Sequence, residues 1–183
     1  MKVAVCQYGA GNVRSVSVAL ARLGAEVVTT SAPEDVLAAD LAVLPGVGSA
    51  AAAMTGLRER GLDEALGERF RQGLPTLGIC LGLQLALEES EEDGGVPCLG
   101  LLPGRAVRLR EGRVPRIGWA PVEPWGDAFY FAHSYAADTP AASAYSEGVV
   151  AEARSGAFVG VQFHPEKSGA AGARFLERCL SRA

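Results

Sequence analysis

Apolar and amphipathic stretches alternate along the first half of the chain. Lys2 to Gln7, Glu26 to Thr30 and Leu41 to Leu44 are short, mostly apolar runs, and Val13 to Leu23 carries apolar residues at helical spacing. Gly-rich or polar turns separate them. This is the rhythm of βαβ units, in which parallel strands are joined by helices lying on the faces of one sheet. Further on, Ala50 to Arg60 and Leu62 to Gln72 read as helices, Pro75 to Ile79 as a buried strand and Leu81 to Ser90 as a helix. Cys80 then falls at a strand-to-helix junction.

From Leu99 to Gln162 the pieces shorten. Gly104 to Leu109, Phe129 to Tyr135, Val149 to Arg154 and Phe158 to Phe163 are strand-like and separated by turn residues, which predicts a mixed or antiparallel extension of the same sheet. Ala170 to Ser181 is a closing helix with apolar residues at Ala173, Leu176 and Leu180. Without a repeat, linker or low-complexity segment, the expectation is one α/β domain over residues 1–183, an open, mostly parallel sheet flanked by helices.

Composition narrows the function classes. A chain of 183 residues buries roughly 70% of its unfolded surface as a single domain. With 49% apolar and 21% charged residues it has the make-up of a folded globule rather than a disordered chain. The net charge of −4, with basic residues scattered rather than grouped, removes the main electrostatic signature of nucleic-acid binding. Met1 to Cys6 shows no signal-peptide pattern and no apolar run reaches membrane-spanning length, so a cytoplasmic protein is expected, with no membrane contact. Cys6, Cys80, Cys98 and Cys179 lack C-x-x-C spacing, and the only histidines are His133 and His164. Disulfides, a zinc site and a cofactor are therefore not expected.

Three segments carry chemistry. Gly78-Ile79-Cys80-Leu81-Gly82 has the form of a nucleophile elbow: a sharp turn after a buried strand exposes the side chain, and flanking glycines relieve crowding. At the start of the next helix a thiolate would be favoured by the dipole and by free backbone N–H groups. The other reading of the same residues is a buried structural cysteine between two packing glycines. In Gln162-Phe163-His164-Pro165-Glu166, Pro165 biases His164 toward an extended conformation, so that His164 and Glu166, two residues apart, point the same way. A carboxylate beside an imidazole fixes its tautomer and supports the imidazolium, as in a nucleophilic triad; a solvated loop with a capping glutamate is the plainer alternative. Pro45-Gly46-Val47-Gly48 follows a strand and opens a helix, so its glycines either turn N–H groups toward an oxyanion or merely form a turn. Gln84 lies one helical turn beyond Cys80, facing a ligand or solvent. Glu88, Glu89, Glu91 and Glu92 crowd what reads as the C-terminal end of that helix, where the dipole disfavours negative charge and a positive group is expected to compensate.

In the order PGVG, GICLGLQ and FHPEKS, covering residues 45–168, the chain resembles the class I glutamine amidotransferases of the triad type. The resemblance implies a flavodoxin-like fold and hydrolysis of L-glutamine, with Cys80 attacking the side-chain amide, His164 acting as base and then acid, and Glu166 orienting it. It further implies oxyanion N–H groups at Val47 and Leu81, and substrate contacts at Gly48, Gln84, Glu92, Ser134 and Tyr135. His133, in His133-Ser134-Tyr135, is given no proton-transfer role.

Tyr8-Gly9-Ala10-Gly11-Asn12 with Ser15-Val16, Pro115 to Trp119, Phe131 to Tyr135 and Pro165-Glu166-Lys167-Ser168 resemble, in particular, the glutaminase subunits of imidazole glycerol phosphate synthase. That family implies a cyclase partner in a heterodimer, histidine biosynthesis as the pathway, and ammonia as the product handed over. Tyr8, Asn12 and Trp119 are expected at the contact, because the first βα turn shares the strands' C-terminal edge with the elbow; internal packing is the alternative for Trp119. Gly46 and Gly48 give the Val47 peptide room to rotate, which offers a switch. Gly9-x-Gly11 could also belong to a dinucleotide fingerprint, but Arg14 stands where a third glycine is wanted and no acid ends the second strand. Two departures from the family are Ser49 to Met54, where a bulky aromatic is usual, and Ala136, where larger or polar residues are common.

Overall fold

The computed structural model describes residues 1–9 and 11–183; Ala10, inside the first turn, lies outside the described residues. Six elements follow the predicted alternation: β1 (Lys2–Cys6), α1 (Val13–Arg22), β2 (Glu26–Thr30), α2 (Pro33–Ala38), β3 (Leu41–Gly46) and α3 (Ala50–Arg58). Next come α4 (Leu62–Arg71), β4 (Thr76–Cys80) and α5 (Leu81–Ala86). Helix α2 has no signature in the hydrophobic pattern because its six residues, begun by Pro33 with Glu34 and Asp35 in the first turn, are too short to display a period.

The second half contains β5 (Glu89–Ser90), β6 (Val96–Pro97), β7 (Arg105–Arg108), β8 (Arg116–Pro121), β9 (Ala128–His133) and β10 (Tyr135–Asp138). It ends with β11 (Ala142–Ser146), β12 (Val149–Ser155), β13 (Phe158–Val161) and α6 (Gly169–Leu180). The main sheet has the order β11-β12-β13-β4-β3-β1-β2. Its strands from β13 to β2 are parallel, while β12 and β11 add on antiparallel. Only part of the expected extension joins this sheet: β10, β7, β5 and β6 make a separate four-stranded sheet, and β8 with β9 a hairpin.

Both faces of the main sheet are covered. On β1, Val3 and Val5 face a cluster with Val16 and Leu20 of α1 and Phe175 and Leu176 of α6. Ala4 and Cys6, pointing the other way by strand alternation, meet Val36 of α2, Met54 and Leu57 of α3, and Leu62 and Leu66 of α4. Strands β3 and β4, in the middle, are buried along their whole length, as a doubly covered sheet requires. In α6 the inward residues are Gly172, Phe175 and Leu176, with Ala173 and Leu180 only half-buried. Among the described residues no helix is long and apolar enough to cross a membrane.

Candidate active site

The parallel register brings three strand ends level. Gly46 pairs with Cys80 across β3 and β4, and Val161 pairs with Ile79 across β13 and β4, so Gln162 comes alongside Cys80. Carboxyl ends of parallel strands are where an open α/β sheet builds its sites.

At Cys80 the backbone turns to φ +54°, ψ −104°, a conformation a side chain occupies only when its surroundings enforce it. Packing supplies the constraint. A Cβ on Gly78 would lie 2.8 Å from the Gly82 carbonyl oxygen, and one on Gly82 only 1.9 Å from that of Leu44. Both glycines serve a strand–helix contact too close for any side chain. Cys80 Sγ faces the Ala132 carbonyl oxygen at 3.9 Å and receives a hydrogen bond from Gln162 Nε2 at 3.5 Å.

His164 follows β13 in extended conformation (φ −102°, ψ 94°). Its backbone N–H donates to the Tyr130 carbonyl at 2.9 Å, and Ser168 Oγ donates to the His164 carbonyl at 2.6 Å. Nδ1 donates to Glu166 Oε1 at 3.0 Å, with both side chains nearly fully buried. Nδ1 being so engaged, the other ring nitrogen remains for Cys80. Burial lowers the His164 pKa, but hydrogen bonds to Cys80 and Glu166, and the negative charges of both, outweigh it and raise the value to about 9. At neutral pH this imidazole therefore holds its proton.

A cavity of about 290 Å³ opens beside the sulfur, lined among others by Val47, Gly48, Gln84, Glu92, Ser134 and Tyr135. Every residue singled out for glutamine or oxyanion binding therefore borders one space with Cys80 and Leu81. Three of the expectations about this region need correction. Helix α5 stops at Ala86, not at Ser90, because backbone N–H groups of Leu99, Leu101 and Leu102 take up the carbonyls of Leu85 and Ala86 that a longer helix would use. The glutamates thus do not crowd a helix C-terminus. Glu92 instead accepts from the Ala50 N–H at 2.6 Å, at the positive start of α3; Glu91 lies 3.9 Å from both Arg105 and Arg110, and Glu88 accepts from the Gly104 N–H. Gln84 is buried rather than facing solvent, its Nε2 donating to the Tyr135 carbonyl at 2.8 Å and to Gln162 Oε1 at 3.2 Å.

The second correction concerns the loop glycines. Gly48 has φ +105° with open space where a Cβ would stand, but a Cβ on Gly46 would lie 2.6 Å from that of Leu81. Conformational freedom belongs to Gly48; Gly46 is glycine for packing. The third is Tyr8, which is buried, its hydroxyl donating to the Pro45 carbonyl, so it is not an exposed contact residue. Asn12 is half-buried, whereas Trp119 is 58% exposed and does not pack internally. A Cβ on Gly56 would come within 2.0 Å of the Tyr8 carbonyl oxygen, so α3 lies against the turn after β1 at a distance that requires glycine at this position.

His133 borders the cavity with its Nδ1 bonded to the Tyr135 carbonyl at 2.9 Å. Burial chiefly, with Arg116 and His164 adding to it, lowers its pKa to about 4 against the opposing Tyr135 bond, so it stays neutral. No local signal in the sequence marks Gln162, since its place beside Cys80 depends on the register of strands far apart in the chain.

Known proteins resemble this chain over nearly its whole length. Residues 4–183 match the family described as glutamine amidotransferase class-I. A protein of Dehalococcoides mccartyi described as imidazole glycerol phosphate synthase subunit HisH is 37% identical, over 99% of this chain and 97% of the relative. One of the same description from Methylococcus capsulatus is 42% identical, over 97% and 95%. A solved structure described as a glutamine amidotransferase superposes with a TM-score of 0.82 over 98% of each chain at 22% identity, a likeness of fold.

Proposed function

This chain belongs to the class-I glutamine amidotransferase family, and from that premise we propose that it is the glutaminase subunit of imidazole glycerol phosphate synthase, working with a cyclase partner in the cytoplasm. The observation that carries the reading is the convergence of Cys80 with the bonded pair His164 and Glu166 from two separate strand ends, with Cys80 bordering the cavity. Near-complete coverage of relatives described as that subunit supports the choice among amidotransferases.

In this reading the Cys80 thiolate attacks the side-chain amide carbon of L-glutamine. The oxygen takes up the negative charge and is met by the N–H groups of Leu81, at the free start of α5, and of Val47. As the tetrahedral centre collapses, His164 passes its proton to the amide nitrogen and ammonia leaves, with a glutamyl thioester on Cys80. His164, now neutral, takes a proton from water, whose oxygen attacks the thioester carbon; the thiolate departs and glutamate is released. Glu166 holds the imidazole through Nδ1 in both halves. Ser134, Tyr135, Gln84, Glu92 and Gly48 border the space for the rest of the substrate. The ammonia then serves the cyclase in forming imidazole glycerol phosphate and its purine-precursor by-product.

The test separates nucleophile from partner chemistry. In the assembled synthase, Cys80→Ala is expected to abolish glutamine-dependent synthesis and to leave synthesis from added ammonium salt intact. More than a trace of glutaminase activity in that variant would refute the assignment.

A further inference from the structure

Gln162 has no exposed surface, and both ends of its amide are committed. Gln84 Nε2 donates to the Tyr135 carbonyl at 2.8 Å and to Gln162 Oε1 at 3.2 Å, and Gln162 Nε2 reaches Cys80 Sγ at 3.5 Å. The direction of this relay is fixed at its far end. A carbonyl oxygen can only accept, so Gln84 must turn its NH2 toward Tyr135. That NH2 then needs an acceptor from Gln162, which leaves only the Gln162 NH2 to face the sulfur. Reversing Gln162 would set two donors against each other.

We propose that Gln162 is a positioning residue for the nucleophile, donating an oriented hydrogen bond to the Cys80 sulfur, with Gln84 as the group that orients it. This rests on the reading of Cys80 as the nucleophile and adds a fourth side chain to its support. The opposing group is the Ala132 carbonyl at 3.9 Å, which stabilises the thiol through S–H donation and repels a thiolate. Gln162 does the reverse, and a donor to an ionised acceptor is stronger than one to a neutral acceptor. Gln84 Nε2 is occupied by this task, so Oε1 is the Gln84 atom left for a ligand.

The probe is iodoacetamide, reacted with the full-length chain across about pH 5.5 to 10 and read by peptide mass at Cys80. The other thiols interfere little, since burial raises Cys6 and Cys179 to about 12 and Cys98 to about 11. Gln162→Met is expected to react roughly 3- to 10-fold more slowly than wild type on the acidic limb of the profile, the scale of one lost hydrogen bond, with the rates converging at higher pH, where the thiolate is formed in both. Gln84→Met, which keeps the donor but frees its direction, is expected to fall between the two. If Gln162→Met fails to melt cooperatively, the Gln84→Met profile decides. A profile superposed on wild type, or slowed by one factor at every pH as altered access would give, overturns the inference. Failure of wild-type Cys80 to react ahead of the other three cysteines would instead overturn the nucleophile reading itself.

Discussion

His164 carries a charge that depends on two neighbours, and its pH behaviour follows from them. Its raised value of about 9 reflects the Cys80 and Glu166 interactions winning over burial. Against an unfolded histidine near ~6.5, the folded state holds its proton more tightly. Below about pH 6.5 both states are protonated and the stabilisation is fully present; as pH rises toward about 9 only the folded state keeps the proton, and the contribution is progressively lost. His164→Asn, whose amide still offers a donor to Glu166, lacks this term. Urea unfolding should therefore show wild type more stable than His164→Asn near pH 6, with the gap closing by pH 9.5; a constant gap would mean that the imidazolium is not the stabilising form. In turnover, His164→Asn should lose on the order of 10²–10⁴-fold and Glu166→Gln less, since the base remains and only its support is weakened. Glu166→Gln should also move the basic limb of the glutaminase pH profile to lower pH, and an unmoved limb would show that Glu166 does not tune the imidazole.

Between β3 and α3, a tightly packed glycine, Gly46 at the strand end, is followed by an open one, Gly48. Gly48, at φ +105° with nothing near a Cβ, has space for a side chain but a backbone conformation that a β-branched residue rarely adopts. Gly48→Val should therefore act through conformation alone. If the Val47 N–H rotates into the oxyanion site when the cyclase and its substrate bind, this variant should blunt activation by about 10²–10³-fold, the cost of one missing oxyanion donor, and should raise KM by less than that. Glutaminase rates for the chain alone, with the cyclase, and with the cyclase plus a substrate analogue measure this, and equal wild-type rates in all three would eliminate the switch. A second lock is Arg69 on α4, fully buried, with guanidinium N–H groups donating to the carbonyls of Val36 and Ala39 at 2.8 Å and of Pro75 at 2.5 Å. It satisfies the C-terminal end of α2 and the entry to β4, whose far end is Cys80. Arg69→Met should cost about 3 kcal/mol and lower Tm by roughly 10 °C; a Tm within 2 °C of wild type would show those carbonyls to be satisfied otherwise. These two locks mark how far the residues speak for themselves. The parallel strands, the elbow and the His164–Glu166 pair were legible because their signals are local: apolar runs, flanking glycines, a Pro between the pair. Helix α2 was not, because it is too short to show a period; nor were the early stop of α5 and the relay through Gln162, because each depends on a partner well removed along the chain, as Ala86 does on Leu101 and Leu102.

At the scale of the whole molecule, the cavity holding Cys80 opens onto a surface with unusually apolar residues. Ile117 is 64% exposed, Trp119 58% and Val47 41%, and both Ile117 and Val47 border that cavity. Trp119 sits on β8 edge-on to Tyr130, with ring centroids 6.2 Å apart, and Lys167 Nζ lies 5.8 Å from the Tyr130 ring. Large exposed apolar groups around a site mouth favour a covering partner, and an exposed tryptophan is the side chain that most often anchors one. Ammonia made at Cys80 would be lost to protonation and diffusion in water, so a partner seated here has a chemical reason as well as a hydrophobic one. Trp119→Ala should weaken association with the cyclase by roughly 10- to 30-fold, about 2 kcal/mol, while melting of the free chain stays within a few degrees because little buried surface is lost. Buried Tyr8 should behave in the opposite way, its loss unfolding the β1 turn before it touches affinity. Hydrogen exchange with the cyclase added should slow across Arg116–Pro121 and the 46–49 loop. Unchanged exchange in both segments, or unchanged affinity of Trp119→Ala, would place the partner on another face.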